Sequence, residues 1–76
     1  MNKITLDKVP LNTKANICRL ECAENIKRRL LDLGMIAGTE IIPVLKSPIG
    51  NLVAYQIRGT LIALRQDDTS SVYVYI

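Results

Sequence analysis

Cys18 and Cys22 are the only thiols in this chain, and no histidine stands anywhere beside them. Four residues apart, they could offer two thiolates to a soft or borderline cation. A closed zinc site takes four ligands, commonly from paired C-x-x-C groups, so these two supply half of one. Carboxylates or a second copy of the chain would have to complete it. Two small, half-buried thiols are the simpler reading. Asp67 and Asp68 pair two carboxylates beside a turn, where a hard cation would be held weakly and solvated turn residues are the plainer account. Cys18, Cys22, Asp67 and Asp68 are thus the candidate metal donors, and a weakly held Fe2+ or Zn2+ is the most they offer.

Other chemistry is excluded more firmly. Without imidazole the chain lacks the usual general base, the commonest metal ligand and every Ser-His or Cys-His nucleophile arrangement. No G-x-x-x-x-G-K-S/T occurs, so there is no phosphate loop for GTP or ATP, and Gly34 and Gly38 do not make a G-x-G-x-x-G. No catalytic residue, no required cofactor and no enzymatic activity are expected.

The residues that could instead recognise something are the cations Lys27, Arg28 and Arg29. Adjacent in sequence, they spread over an arc of about 200° on a helix and form no single stripe. A solvated face is one reading; an electrostatic patch for an acidic partner protein is the other. Nucleic acid is disfavoured, because the net charge is only +3 and there is no Trp or Phe to stack on bases. Direct membrane insertion is disfavoured too. "MNKITLDKVP" has no apolar signal core, and no apolar run approaches the roughly 20 residues that span a bilayer. A cytoplasmic location follows, where a structural disulfide would be unusual.

These residues must be positioned by one small domain, since 76 residues leave no room for a second. The domain is taken as 1–76. Ala23, Ile26, Leu30 and Leu33 share a helical face, with Lys27, Arg28, Arg29 and Asp32 mostly opposite. Gly34 stands where a helix closes with a left-handed residue. Met35 and Ile36 then occupy a tight connection, and Gly38-Thr39 turns into a strand.

The rest reads as strands. "MNKITLDKVP" opens with an edge segment bearing Ile4 and Leu6, and Pro10 with "LNTK" makes a turn. "ANICRL" is a short strand whose alternation changes at Cys18. In "EIIPVLK", Ile42 and Val44 share one face and Ile41 and Leu45 the other. Pro43 cannot donate to a ladder and predicts an edge or a bulge. "SPIGN" is a loop. Val53, Tyr55 and Ile57 alternate, Gly59-Thr60 reverses the chain, and Ile62 and Leu64 alternate again. "QDDTSS" is a turn or a 3₁₀ turn, and "VYVYI" places Val72, Val74 and Ile76 on one face. The fold class is mainly β: a small SH3-like antiparallel barrel with one short α-helix between its first two strands.

"RRLLDLGMIAGTEI" followed by "SPIGNLVAYQIRGTLIALR" resembles the ferrous iron transport protein A (FeoA) family. That family's pattern is R-R-L-x-x-L-G, a hydrophobic pair, G-T, an apolar strand, a small-residue loop and R-G-x-x-I/L-A-L-R. Here these are Arg28 to Gly34, Met35-Ile36, Gly38-Thr39, Ile41 to Leu45, Ser47 to Asn51, and Arg58 to Arg65. Two departures are Ala37, where proline is frequent, and Cys22-Ala23, where smaller residues often precede the helix. The resemblance implies an SH3-like barrel, kinship with the C-terminal module of iron-dependent repressors of the DtxR type, and an accessory role beside the membrane transporter FeoB. It implies regulation by protein contact, with a transition-metal-binding or metal-responsive domain as the alternative. A reader of Pro-rich peptides, suggested by fold alone, lacks the aromatic groove it needs.

The expected contact surface for FeoB combines the helix and its exit turn: Arg28, Arg29, Leu33, Met35 and Ile36. Met35, an adaptable thioether, suits a partner surface equally as it suits a plug for the open end of the barrel. Gly34, Gly38 and Gly59 are assigned to structural turns.

Overall fold

The structure is a computed structural model that describes residues 2–48 and 51–76. Six strands form one antiparallel sheet: β1 (Lys3–Thr5), β2 (Ala15–Leu20), β3 (Glu40–Lys46), β4 (Leu52–Ile57), β5 (Thr60–Arg65) and β6 (Val72–Tyr75). A single 3₁₀ turn, Leu6–Lys8, follows β1. Helix α1 (Glu24–Asp32) joins β2 to β3, and the one-turn helix α2 (Gln66–Thr69) joins β5 to β6. The strand order is β1-β6-β2-β3-β4-β5, so β1 and β5 are both edges and no ladder closes the sheet into a full barrel among the described residues. Because the opening edge segment is itself a strand, α1 falls between the second and third strands of this count. The fold is SH3-like. The loop expected at "SPIGN" has Ile49 and Gly50 outside the described residues.

Alternation decides the core. Ile17, Tyr55, Ile57, Leu64, Val72 and Val74 point inward from their strands and are buried, while their neighbours face out. The change of pattern at Cys18 is a β-bulge: the β2–β6 register shifts between Ile17 and Arg19. A second bulge lies between Pro43 and Leu45 in the β3–β4 pairing. There proline sits where the ladder is already interrupted. Pro43 is buried beside Ile41, so the inner face of β3 carries Ile41 and Pro43, with Ile42 and Val44 only half buried. Ile76, expected on the same face as Val72 and Val74, lies beyond the end of β6 and is exposed.

The β4–β5 reversal differs by one residue from its expectation. Arg58 and Gly59, both at positive φ (51° and 76°), form the turn, and Thr60 already pairs with Ile57. Two successive left-handed residues make a type I′ hairpin, whose twist matches that of the flanking strands.

Candidate functional site

Helix α1 touches the core through its middle. Leu30 is fully buried and Ile26 packs against the core, whereas Ala23 and Leu33 are exposed. A nine-residue helix is about 13 Å long, so its two ends reach past the small core it covers. The expected four-residue apolar face thus contracts to two. At the N-terminus Ala23 has the extended backbone of a cap but no side chain to bond the free amides.

At the exit, the Gly34 amide donates to the Leu31 carbonyl (3.0 Å) and the Met35 amide to the Leu30 carbonyl (3.1 Å). With Gly34 at φ 94°, this pair of bonds is a Schellman motif. The motif brings the residue after the glycine back onto the last turn, and Met35 and Leu30 are both 0% exposed in the same core cluster. Met35 is therefore the plug and not a contact residue. The expected surface loses it, and Met35→Asp would report on folding instead of on partner binding.

Of the remaining expected residues, Arg28, Arg29, Leu33 and Ile36 are exposed. They do not all line one concavity. Arg28 lies on the outer face of α1 in a shallow depression that Arg29 also lines, with Glu24 and Asp32, carboxylates one helical turn to either side of Arg28. Arg29 borders another concavity as well, together with Leu33, on the side toward β5. With Ile26 they form one wall of a groove of about 480 Å3 whose other side is Leu52, Ala63, Leu64 and Arg65, with Asp67 and Asp68 at the α2 end. Arg29 pairs with Asp68 across it, Nη2 to Oδ2 3.5 Å. Ile36 sits on the exit turn, where its amide donates to the Gly34 carbonyl.

Sequence reasoning missed the far wall of this groove, because Leu52, Ala63 and Arg65 are distant in the chain and only the fold brings them to the helix. It also missed Arg58. This side chain lies over Gly34, so that a Cβ at Gly34 would stand 3.3 Å from its Cδ. Gly34 thus meets two demands, left-handed backbone and close approach. Gly38 (φ 89°) and Gly59 have only the first, with nothing within 4 Å of an added Cβ.

The candidate metal donors are dispersed. Cys18, at the β2 bulge, lies beside the Tyr75 phenol and is the first cause raising that phenol's pKa. Cys22, in the β2–α1 connection, directs its thiol at the Ser71 carbonyl, 3.9 Å away. Burial, then the Asp68 carboxylate, push the Cys22 thiol up, against a smaller opposing effect of Lys27. A thiol held in its protonated form is a poor ligand. The Asp68 carboxylate that acts on Cys22 is itself engaged by Arg29. No three donors from His, Cys, Asp or Glu come together among the described residues. The donor set does not fit a resident transition metal within one chain.

A second concavity, about 210 Å3, opens between the 3₁₀ turn and β3–β4 and is lined by Asp7, Pro43, Lys46, Tyr55 and Thr69, among others. Burial raises the Tyr55 phenol's pKa above its ordinary value, the neighbouring Thr69 hydroxyl opposes the rise, and Asp7 adds to it. One Asp7 carboxylate oxygen, Oδ1, is buried here without a hydrogen-bond partner. No helix among the described residues is long and apolar enough to cross a membrane.

Known proteins fit this geometry. Among curated sequences none matches the chain. Among solved structures, the chain is 35% identical to Stenotrophomonas maltophilia FeoA, an SH3 domain protein complexed with zinc, covering 93% of this chain and 88% of that one (TM-score 0.81). It is 26% identical to a FeoA-like protein from Clostridium acetobutylicum, over 100% and 88% (TM-score 0.89). A manganese-dependent transcriptional repressor shares the fold alone, at 9% identity over 96% of this chain and 41% of that one (TM-score 0.86). The FeoA domain family matches residues 4–76, nearly the whole sequence. The chain therefore belongs to the FeoA family, which is associated with ferrous iron transport.

Proposed function

We propose that this chain is a cytosolic accessory protein of ferrous iron uptake that regulates a FeoB-like transporter by contact with its cytosolic part. Family membership supports the link to iron uptake. The observation that carries the mode of action is the groove between α1 and β5. Leu33 and Leu52 give it an exposed apolar lining, Arg29 and Arg65 give it cations, and Asp67 and Asp68 give it anions at one end. An apolar strip bordered by charges of both signs suits a protein surface, with the leucines as anchors and the charges setting orientation. Arg28 and Ile36 extend the contact around the helix.

The test is calorimetric binding of this chain to the purified cytosolic domain of the transporter, with and without guanine nucleotide. Leu33→Asp removes an exposed anchor without touching the core and is expected to weaken binding at least about tenfold. Arg28→Glu is expected to weaken it less, mainly by slowing association. Equal binding by wild type and both variants removes this surface.

The second reading, a metal-binding or metal-responsive domain, has the zinc complex of the Stenotrophomonas relative in its favour. Titration of Zn2+ under reducing conditions decides it. A saturable shift of the amide signals of Cys18, Cys22, Asp67 and Asp68 supports the metal reading, and unmoved signals remove it.

A further inference from the structure

The sheet's two edges are built differently. Strand β1 has three residues, begins at a lysine and runs straight into the 3₁₀ turn. Such short, charged edges resist pairing with other chains. Strand β5 is six residues long, has no proline, pairs with β4 without a bulge along its whole length, and carries one charge, Arg65, at its end.

The hairpin dictates which backbone groups of β5 are free. Ile57 and Thr60 flank a two-residue turn and form a hydrogen-bonded pair, so Thr60, Ile62 and Leu64 bond to β4. Gln66 continues this parity, its amide donating to the Asn51 carbonyl at 2.7 Å. Leu61, Ala63 and Arg65 must then aim both N–H and C=O away from the sheet. Their side chains are exposed, with Leu61 at 64%.

We infer that β5 is a self-pairing edge, on which a second copy of this chain docks β5 to β5, antiparallel, about a two-fold axis through Ala63. This does not rest on the proposed function, but Ala63, Arg65 and Leu52 also form the β5 wall of the groove beside α1, so the copy and the transporter would exclude each other there. Three observations favour a copy over an unrelated strand. The outward residues are symmetric about Ala63, so Leu61 meets the copy's Arg65, Ala63 meets Ala63, and all the outward groups of both strands are satisfied. The smallest side chain lies on the axis, where identical residues must face each other. No like charges oppose one another. The end bearing Arg58 meets the copy's end bearing Asp67, and Arg65 sets its aliphatic stem between Leu52 of its own chain, 44% exposed, and Leu61 of the copy. A contact this small falls short of the roughly 1,200 Å2 of a tight complex, which makes the dimer weak and concentration-dependent.

Sedimentation equilibrium of the full chain under reducing conditions, from about 10 µM to about 1 mM, tests this. The expected result is a reversible monomer–dimer equilibrium, with the amides of Leu61, Ala63 and Arg65 exchanging more slowly as concentration rises. Ala63→Pro deletes only an outward N–H, which an edge strand tolerates, and should raise the dimer dissociation constant at least about tenfold. Leu61→Lys, which sets a cation against the copy's Arg65, should do the same without a backbone change. A wild-type chain that stays monomeric at the highest concentration overturns the inference and leaves the edge to a strand of another protein. A dimer indifferent to both substitutions overturns it as well.

Discussion

The exit of α1 and the β4–β5 hairpin are both reversals made by glycine at positive φ, yet one conceals its apolar residue and the other displays it. At the α1 exit the Schellman bonds satisfy the last helical carbonyls, and Met35 follows the chain back into the core. At the hairpin Leu61 points to the outer face of β5, so it stays in solvent, and its backbone groups also lack a strand partner among the described residues. Burial of an apolar side chain therefore depends on which way the local backbone turns it. The α1 exit is closed on itself; β5 is closed on one side only.

Placing the same charge at the two positions gives the largest expected difference. Met35→Asp buries a carboxylate without a partner and should cost about 4 kcal/mol, enough to unfold much of a domain this small. Leu61→Asp should leave stability within about 0.5 kcal/mol of wild type. Urea denaturation of both variants measures the gap, and similar losses would break the comparison. The glycines sharpen it at a smaller scale. Gly34→Ala must adopt a left-handed backbone and push back Arg58, a cost of about 2 kcal/mol, whereas Gly59→Ala meets open space and should cost about 1 kcal/mol. A reversed order would mean that Arg58 yields freely. The smallest effect is expected at the groove between the two regions. Arg29→Ala removes a solvent-exposed pair with Asp68 and should change stability by less than about 0.5 kcal/mol, while the same variant at low salt tests its part in partner binding.

Much of this was legible in the chain. The alternation in "LVAYQIRGTLIALR" specifies a hairpin, since only a period of two keeps Tyr55, Ile57 and Leu64 on one side. Gly34 marks the helix stop, Pro43 the bulge in β3, and the broken pattern at Cys18 the bulge in β2. The burial of Met35 was legible too, because a Schellman glycine four residues after Leu30 brings the following residue onto that turn. Reading Met35 by its flexible chemistry alone missed the geometric signal. The groove was not legible, as it needs residues near 30 and near 64 to meet.

Local rules acting over a few residues thus determined the elements of this protein, their order, the turn glycines and the residues facing inward. They act through dihedral preference and side-chain period, which the order of residues expresses directly. Only the tertiary structure decided that α1 touches the core through its middle alone, that Arg29 reaches Asp68, that Arg58 covers Gly34, and that β5 is left as an edge of the sheet among the described residues. Each of these depends on how the sheet curls and where it fails to close, and that is settled by packing among distant segments.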